Sequence, residues 1–183
     1  TADIFGLRSD IDKLSLASYI ADVAEDLSLE NAPDPELLRL TLNTLYAIST
    51  GTHSIPKIKG AYELRVSSVA GFRPDLVGCA KCKAYSCETM YLDVMNGRLL
   101  CPSCRLEKLS EPSEDGSAVI HLALTPEVLE AMRYTIYSPM QRYLSFTLPE
   151  SSLRFYGKVS EKYLLSHLEH GFYSLDFYKS MLS

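Results

Sequence analysis

Hydrophobic residues recur at helical spacing along the first third of the chain. Ile11 and Leu14 begin the first apolar stripe, which continues at spacings of three and four residues to about Leu27. Ser9, with Asp12 three residues later, approaches a capping box, a pattern typical of helix starts. The sequence therefore predicts a first amphipathic helix that starts at Ser9.

Two further helices follow from equally local signals. Asp34 is a capping residue, and Pro35 comes next, where the missing N–H of proline costs nothing. The apolar positions after it run to Gly51, which suits a left-handed C-cap. The spacing of apolar residues predicts a third helix over residues 57–70.

The last third of the chain repeats these patterns. Thr-Pro-Glu at 125–127 predicts a helix that runs to about residue 136, and a long helix is predicted from Ser151 or Ser152 to about 171. The tail at 174–178 is apolar enough that we expect it to pack against the other helices. These elements indicate a mainly α fold, a helical bundle.

Four cysteines interrupt the helical pattern. Cys79 and Cys82 form one C-x2-C pair, and Cys101 and Cys104 form a second pair eighteen residues later. This spacing is typical of a four-cysteine zinc site, in which two turns bring four thiolates to one ion. Between the pairs, an Asn-Gly turn at 96–97 predicts a β-hairpin. The segment is therefore predicted to be a zinc-ribbon-like hairpin module that binds structural Zn²⁺ through all four cysteines.

Other states of the cysteines stay open at this point. Disulfides are an alternative, but five cysteines is an odd number and no secretion signal is present. A redox C-x2-C pair should follow a strand and open a helix, a context that neither pair is predicted to have. Cys87 is expected to be a free thiol, although its position would let it compete as a ligand.

Composition and charge limit the class of protein. With 46% hydrophobic and 22% charged residues, the chain should form a packed core, and no apolar window is long enough for a membrane span. The net charge of −5 argues against a stand-alone nucleic-acid binder. Residues 57–108, however, carry nine basic and five acidic side chains. One compact unit is expected, in which bundle segments 1–75 and 109–183 flank a module at 76–108.

No catalytic centre is evident in the sequence. No glycine-rich phosphate loop, nucleophile elbow or characteristic carboxylate pair is present, so no catalytic residue is predicted. His167 and His170, three residues apart, are expected to be a packed residue and a helix-end residue rather than ligands. The alternative is a zinc-dependent hydrolase whose site is assembled only in three dimensions, with an open coordination position.

Four stretches together resemble the C-terminal region of the RecO family of bacterial DNA-repair and recombination mediators. They are residues 7–19, residues 62–76 with Gly-Phe-Arg-Pro-Asp-Leu at 71–76, the two cysteine pairs, and residues 163–177 ending in Ser-Leu-Asp-Phe. The resemblance implies a helical bundle with an inserted zinc module. It also implies a non-enzymatic protein that works in the cytoplasm, in association with the nucleoid.

The same resemblance implies partners. RecO family members bind and anneal DNA, and they work with RecR and with single-stranded-DNA-binding protein (SSB) to load recombinase. The family has an OB-fold before this region, and the six residues before Leu7 cannot form one. DNA binding by this chain alone is therefore expected to be weak.

The resemblance also directs attention to two sets of basic residues. An acidic SSB tail needs an apolar pocket and a cation for its terminal carboxylate, and the predicted cations are Lys57, Lys59 and Arg65. DNA phosphates are expected to contact the basic residues around the zinc module. These are Lys81, Lys83, Arg98, Arg105 and Lys108.

Overall fold

Helices dominate the computed structural model, which describes residues 10–28, 32–110 and 120–181. The described residues form seven α-helices: α1 (Ile11–Leu27), α2 (Pro35–Thr50), α3 (Ile55–Val69), α4 (Pro102–Ser110), α5 (Pro126–Tyr137), α6 (Glu150–Leu168) and α7 (Tyr173–Met181). They also form four strands: β1 (Asp75–Cys79), β2 (Met90–Asp93), β3 (Arg98–Leu100) and β4 (His121–Leu124). The predicted mainly α fold with an inserted hairpin module and four clustered cysteines is confirmed.

The first helix begins at a different cap from the predicted one. Asp10 is its N-cap, and Asp10 Oδ1 accepts hydrogen bonds from the backbone N–H groups of Asp12 at 3.0 Å and Lys13 at 3.3 Å. Ser9, the predicted start, lies outside the described residues. A carboxylate satisfies the free N–H groups and also complements the positive end of the helix dipole, which explains why Asp10 is the cap.

The signals for α2 are confirmed and those for α3 are confirmed in part. Asp34 Oδ1 accepts hydrogen bonds from two N–H groups of the first turn of α2, and Gly51 ends the helix at φ 65°. Helix α3 begins at Ile55, two residues before its predicted start. Pro56 lies in its first turn, where the fixed φ of proline fits the helix.

Helix α3 lies at the centre of the bundle, where it packs against α1, α2, α5 and α6. Tyrosines fill much of this core, and several of their buried hydroxyls form hydrogen bonds. Tyr62 donates to the Ile20 carbonyl at 3.3 Å, and the hydroxyls of Tyr156 and Thr135 lie 2.8 Å apart. The apolar tail forms α7, which packs on α1, as the sequence predicted.

The four strands form one sheet in the order β1-β3-β2-β4. Strands β2 and β3 are the predicted antiparallel hairpin, with Leu92 opposite Leu99. Strand β1 pairs parallel with β3, and β4 pairs antiparallel with β2; neither strand was predicted. Since β4 lies at 121–124, the sheet includes residues beyond the segment 76–108.

The hairpin turn contacts the bundle closely. Gly97 has φ 58°, and a Cβ atom at this position would lie 2.6 Å from the Tyr163 hydroxyl of α6. That hydroxyl donates to the Phe72 carbonyl at 2.8 Å. Glycine is therefore required here for both its backbone conformation and its size. Among the helices of the described residues, none combines the length and the apolar character needed to cross a lipid bilayer.

Candidate functional site

The four predicted zinc ligands lie together. The sulfur atoms of Cys79, Cys82, Cys101 and Cys104 all lie within 4.8 Å of one another, and those of Cys82 and Cys101 are 3.7 Å apart. Tetrahedral Zn²⁺ with bonds of about 2.3 Å to each thiolate requires sulfurs separated by about 3.8 Å. A disulfide needs a sulfur–sulfur distance of about 2 Å, and the four cysteines are free thiols. The donor set therefore fits a four-coordinate metal ion.

The first pair is held by a tight loop after β1. The Cys79 N–H donates to the Ala84 carbonyl at 2.8 Å, and the Lys83 N–H donates to the Cys79 carbonyl at 2.9 Å. Lys83 adopts a left-handed conformation with φ 64°, which turns the chain back toward the strand. A Cβ atom at Gly78 would lie 3.0 Å from the Ala84 oxygen and 3.1 Å from the Lys83 oxygen, so a side chain here would crowd the backbone of the loop.

The elements that flank the second cysteine pair differ from the prediction. Cys101 directly follows β3, and Pro102 begins α4, so this pair does follow a strand and open a helix. The prediction that neither pair has this context was wrong, because the Cys-Pro step at 101–102 ends the strand and lets proline occupy the first position of a helix. The context does not make the pair a redox couple, since Cys82 and Cys79 supply two further sulfurs at ligand distance.

Electrostatics also favours a cation among these sulfurs. Burial raises the pKa of the Cys79 thiol, but hydrogen bonds from the N–H groups of Cys82, Cys101 and Lys81 outweigh it and lower the pKa to about 6. A hydrogen bond with Cys101, together with burial, raises the pKa of Cys104 to about 12. Four neighbouring thiolates therefore cannot form without a compensating positive charge, and a divalent ion provides it.

Cys87 does not join the cluster. Its sulfur lies 3.0 Å from the Thr89 carbonyl oxygen and 3.1 Å from the Met90 sulfur. This position agrees with the expected free thiol, because the four other cysteines already complete a tetrahedral ligand set.

Three of the five predicted phosphate-contacting cations lie around the buried carboxylate of Asp93 or beside the neighbouring His121. Asp93 is fully buried, and its Oδ2 lies 2.7 Å from Lys108 Nζ and 3.4 Å from Arg98 Nε. Arg105 Nε donates to His121 Nδ1 at 3.2 Å, and its guanidinium lies 4.4 Å from the Tyr91 ring centroid. Asp93, which the sequence analysis missed, therefore organises the basic surface of the module. Its position shortly before the Asn-Gly turn was the available signal.

The remaining two cations lie at the rim of the same module. Lys81 forms an ion pair with Glu107 at 2.5 Å, and Lys83 Nζ donates to the Ala80 carbonyl at 3.1 Å. A cleft of about 280 Å³ lies between Lys81, Arg98 and Lys108, beside Cys104. The structure thus brings three of the five predicted phosphate contacts to one cleft.

The three predicted tail-binding cations have different partners. Lys59 is buried and pairs with Glu63 at 2.6 Å and with Glu161 at 2.7 Å. Arg65 Nη1 donates to carbonyls at the C-terminal end of α5, including that of Thr135 at 3.0 Å. Both are held by internal contacts.

Lys57 lies next to an apolar cleft. It is half-buried, donates to the Phe146 carbonyl and lies 4.7 Å from the centroid of the Phe146 ring. Phe146 lines a cleft of about 520 Å³ whose apolar wall also includes Tyr134, Leu148 and Pro149. An apolar cleft beside a cation is the arrangement that an acidic tail with a terminal aromatic residue requires.

This arrangement defines a class of protein: a helical bundle with an inserted hairpin module in which four cysteines lie close enough together to be compatible with a metal site. The chain belongs to the family described as Recombination protein O C terminal, which it matches over residues 8–176. The cysteine module and helices α1 to α6 fall within the matched residues, and α7 begins within them.

Individual relatives agree with this assignment. The chain is 32% identical over 177 residues to the DNA repair protein RecO of Acetivibrio thermocellus, covering 97% of this chain and 66% of the relative. It is 30% identical over 150 residues to RecO of Roseiflexus sp., covering 81% of this chain and 53% of the relative. RecO of Alkaliphilus metalliredigens is 22% identical over 178 residues, 97% of this chain and 68% of the relative. The chain thus spans between about half and two thirds of these proteins.

Proposed function

We propose that this chain is the helical and zinc-binding part of a DNA repair and homologous recombination mediator. In the whole protein, this part acts as a non-enzymatic scaffold in the cytoplasm, at the nucleoid. It binds RecR and the SSB tail, while the protein anneals strands and helps to load recombinase on single-stranded DNA. The observation that carries the proposal is the family match over residues 8–176, which extends through both bundle and module.

In this proposal, Cys79, Cys82, Cys101 and Cys104 hold a structural Zn²⁺. The sheet of the module is small, so its hydrophobic core provides limited stability. The ion supplies the rest. A closed four-thiolate shell has no position for water or substrate, which disfavours the alternative of a zinc-dependent hydrolase. Absorption spectra of the cobalt-substituted protein test this choice. A tetrahedral four-thiolate spectrum supports the structural role, and bands that shift with added inhibitors support the hydrolase.

The five cations around the module are the proposed phosphate contacts of this chain. Binding of single-stranded DNA should then weaken with salt, with a log–log slope of about −0.7 for each phosphate contacted. Arg98→Gln and Lys81→Gln, at the 280 Å³ cleft, should each weaken binding and reduce the slope by about that amount. Fluorescence anisotropy at several salt concentrations measures both.

Lys162→Gln, at an exposed position of α6, is the matched control and should leave the slope unchanged. A salt response that stays flat in the unmodified protein would contradict phosphate binding at this surface. A slope that falls equally in all three variants would show that DNA binding is not confined to the surface of the module.

The tail of SSB is proposed to dock at the apolar cleft beside Lys57, with its aromatic side chain in the cleft and its carboxylate at the cation. Glu127 and Glu130 also line this cleft. Arg133 pairs with Glu130 and offsets its charge, while Glu127 accepts a hydrogen bond from Ser152, so the tail must place its acidic residues away from Glu127. A labelled SSB tail peptide should bind at low salt. Amidation of its terminal carboxylate, or Lys57→Gln, should weaken binding at least tenfold.

A second exposed cation provides the comparison for this experiment. Lys158 lies on α6 and lines two clefts of about 550 and 510 Å³. Lys158→Gln should change the affinity for the tail peptide less than twofold. If Lys158→Gln abolishes binding while Lys57→Gln does not, the tail docks on α6 instead.

A further inference from the structure

Arg133 connects the helical bundle to the first cysteine loop. It lies on α5 with only 6% of its surface exposed. Its Nε donates to the Leu76 carbonyl at 2.7 Å, and its Nη1 pairs with Glu130. A buried guanidinium is costly unless its N–H donors have hydrogen-bond acceptors. Backbone carbonyls of strand β1 are among the acceptors for this one.

The terminal nitrogen Nη2 of Arg133 bridges the two ends of the loop. It donates to the Val77 carbonyl at 3.2 Å and to the Tyr85 carbonyl at 2.5 Å. Val77 lies two residues before Cys79, and Tyr85 lies three residues after Cys82. The guanidinium also lies 3.9 Å from the centroid of the Tyr85 ring. One side chain thus fixes both the entry and the exit of the loop that carries two of the four sulfurs.

Only arginine can make this set of contacts. Its guanidinium presents donors in one rigid plane, so Nη2 reaches two carbonyls while Nε and Nη1 reach two more acceptors. A lysine at this position has a single nitrogen, which could not donate to the carbonyls of both the strand and the loop exit. The loop would then keep its own hydrogen bonds, from the N–H groups of Cys79 and Lys83, and the bond from the Ala80 N–H to the Leu99 carbonyl of β3, but its entry and exit would no longer be bridged.

We infer that Arg133 is a positioning residue for the metal site: it closes the base of the first cysteine loop and so preforms the site before the ion binds. The inference rests on the proposed zinc site. Preorganised ligands lose less conformational freedom on binding, so a closed loop raises the affinity for the metal. It also ties the sulfurs to α5, and thus to the bundle.

Zinc affinity of Arg133 variants, measured by competition with a chelator of known affinity, tests this inference. Arg133→Met keeps much of the apolar stem but removes every donor, and we expect it to weaken Zn²⁺ binding at least tenfold. Arg133→Lys should lie between Arg133→Met and the unmodified protein. Cobalt spectra should stay those of four thiolates in all variants, because no ligand changes. A residue that merely stabilises the fold would lower the unfolding temperature without changing the zinc affinity of the folded protein.

Tyr137→Phe is the matched control. The Tyr137 hydroxyl accepts a hydrogen bond from the Leu76 N–H at 3.0 Å, so it joins the same helix to the same strand but does not reach the loop exit. Its loss should change zinc affinity less than twofold. Equal losses in Tyr137→Phe and Arg133→Lys, or an affinity within twofold of normal in Arg133→Met, would overturn the inference.

Amide hydrogen exchange on the metal-free protein separates this inference from the zinc proposal. In Arg133→Met, the amide of Cys79 should exchange at least tenfold faster than in the unmodified protein, because its acceptor Ala84 lies in the released loop. If the unmodified protein binds no zinc, the metal proposal fails, and unchanged exchange at Cys79 shows separately that Arg133 does not close the loop.

Discussion

Replacing Cys101 with serine is expected to release the bound metal and to lower the thermal unfolding midpoint by about 10 °C. Cys101 is buried between β3 and α4, and its sulfur is 3.7 Å from that of Cys82. Structural zinc sites bind with about 10–16 kcal/mol, and the loss of even about 3–5 kcal/mol lowers the midpoint by roughly 10 °C in a protein of this size. Metal content by mass spectrometry and unfolding by circular dichroism measure the two effects.

Cys87→Ser is the matched control for this experiment. The thiol of Cys87 contacts Thr89 and Met90 and takes no part in the cluster, so the variant should keep one zinc per chain and the normal midpoint. Release of zinc from Cys87→Ser to the same extent as from Cys101→Ser would show that the ligand set is wrong.

Lys59→Met is expected to lower the free energy of unfolding by about 3–5 kcal/mol, the usual cost of leaving a buried charge without its partner. Glu63 is fully buried, and burial raises its pKa while Lys59 opposes this effect. Glu63 Oε1 accepts hydrogen bonds from Lys59 and Tyr19, and Oε2 has no partner among the described residues. Without the lysine, the Tyr19 hydroxyl still donates to this carboxylate, but the cation that the described residues place against it is gone.

Two further variants show whether the charge is the cause. Lys59→Met with Glu63→Gln should recover about half of the loss or more, because the buried charge is removed and Tyr19 keeps an acceptor. Lys179→Met, in a half-exposed ion pair with Glu161, should cost less than about 1 kcal/mol. Chemical denaturation measures all three. A Lys59→Met effect no larger than that of Lys179→Met would contradict the buried-charge argument.

The buried position of Lys59 also bears on the search for a partner surface. Lys59 was predicted from sequence as a contact for an acidic tail, but the structure places it in the core. If a Lys59 variant failed to bind a partner, destabilisation of the fold would explain the loss. Lys57 is the informative position, because its side chain is half-buried at the surface and has no buried carboxylate to leave unpaired.

Local signals predicted most helices and the cysteine site. Asp34 and Gly51 act within a few residues of their own position, and the Asn-Gly turn sets the register of β2 and β3. The C-x2-C spacing is equally local, since each pair turns within one loop. These features were predictable because the physics that creates them involves neighbours in sequence.

Other features depend on residues that are far apart in sequence. Strand β1 pairs with β3, and β4 pairs with β2 from beyond α4, so neither short strand has a local signal of its partner. Lys59 was expected at the surface because charged residues are mostly exposed, and its partner Glu161 is 102 residues away. Arg133 similarly reaches a loop 48 residues before it. Such contacts exist only once the chain is folded.

Strand β4 has a consequence for any attempt to study the cysteine module as a fragment. Residues 121–124 occupy the outer side of β2, with Met90 opposite Leu124 and Asp93 opposite His121. A fragment cut at residue 108 would leave the N–H and C=O groups of β2 open along that edge. Open edges of this kind recruit strands from other chains, so the shortened module would self-associate even with its metal in place.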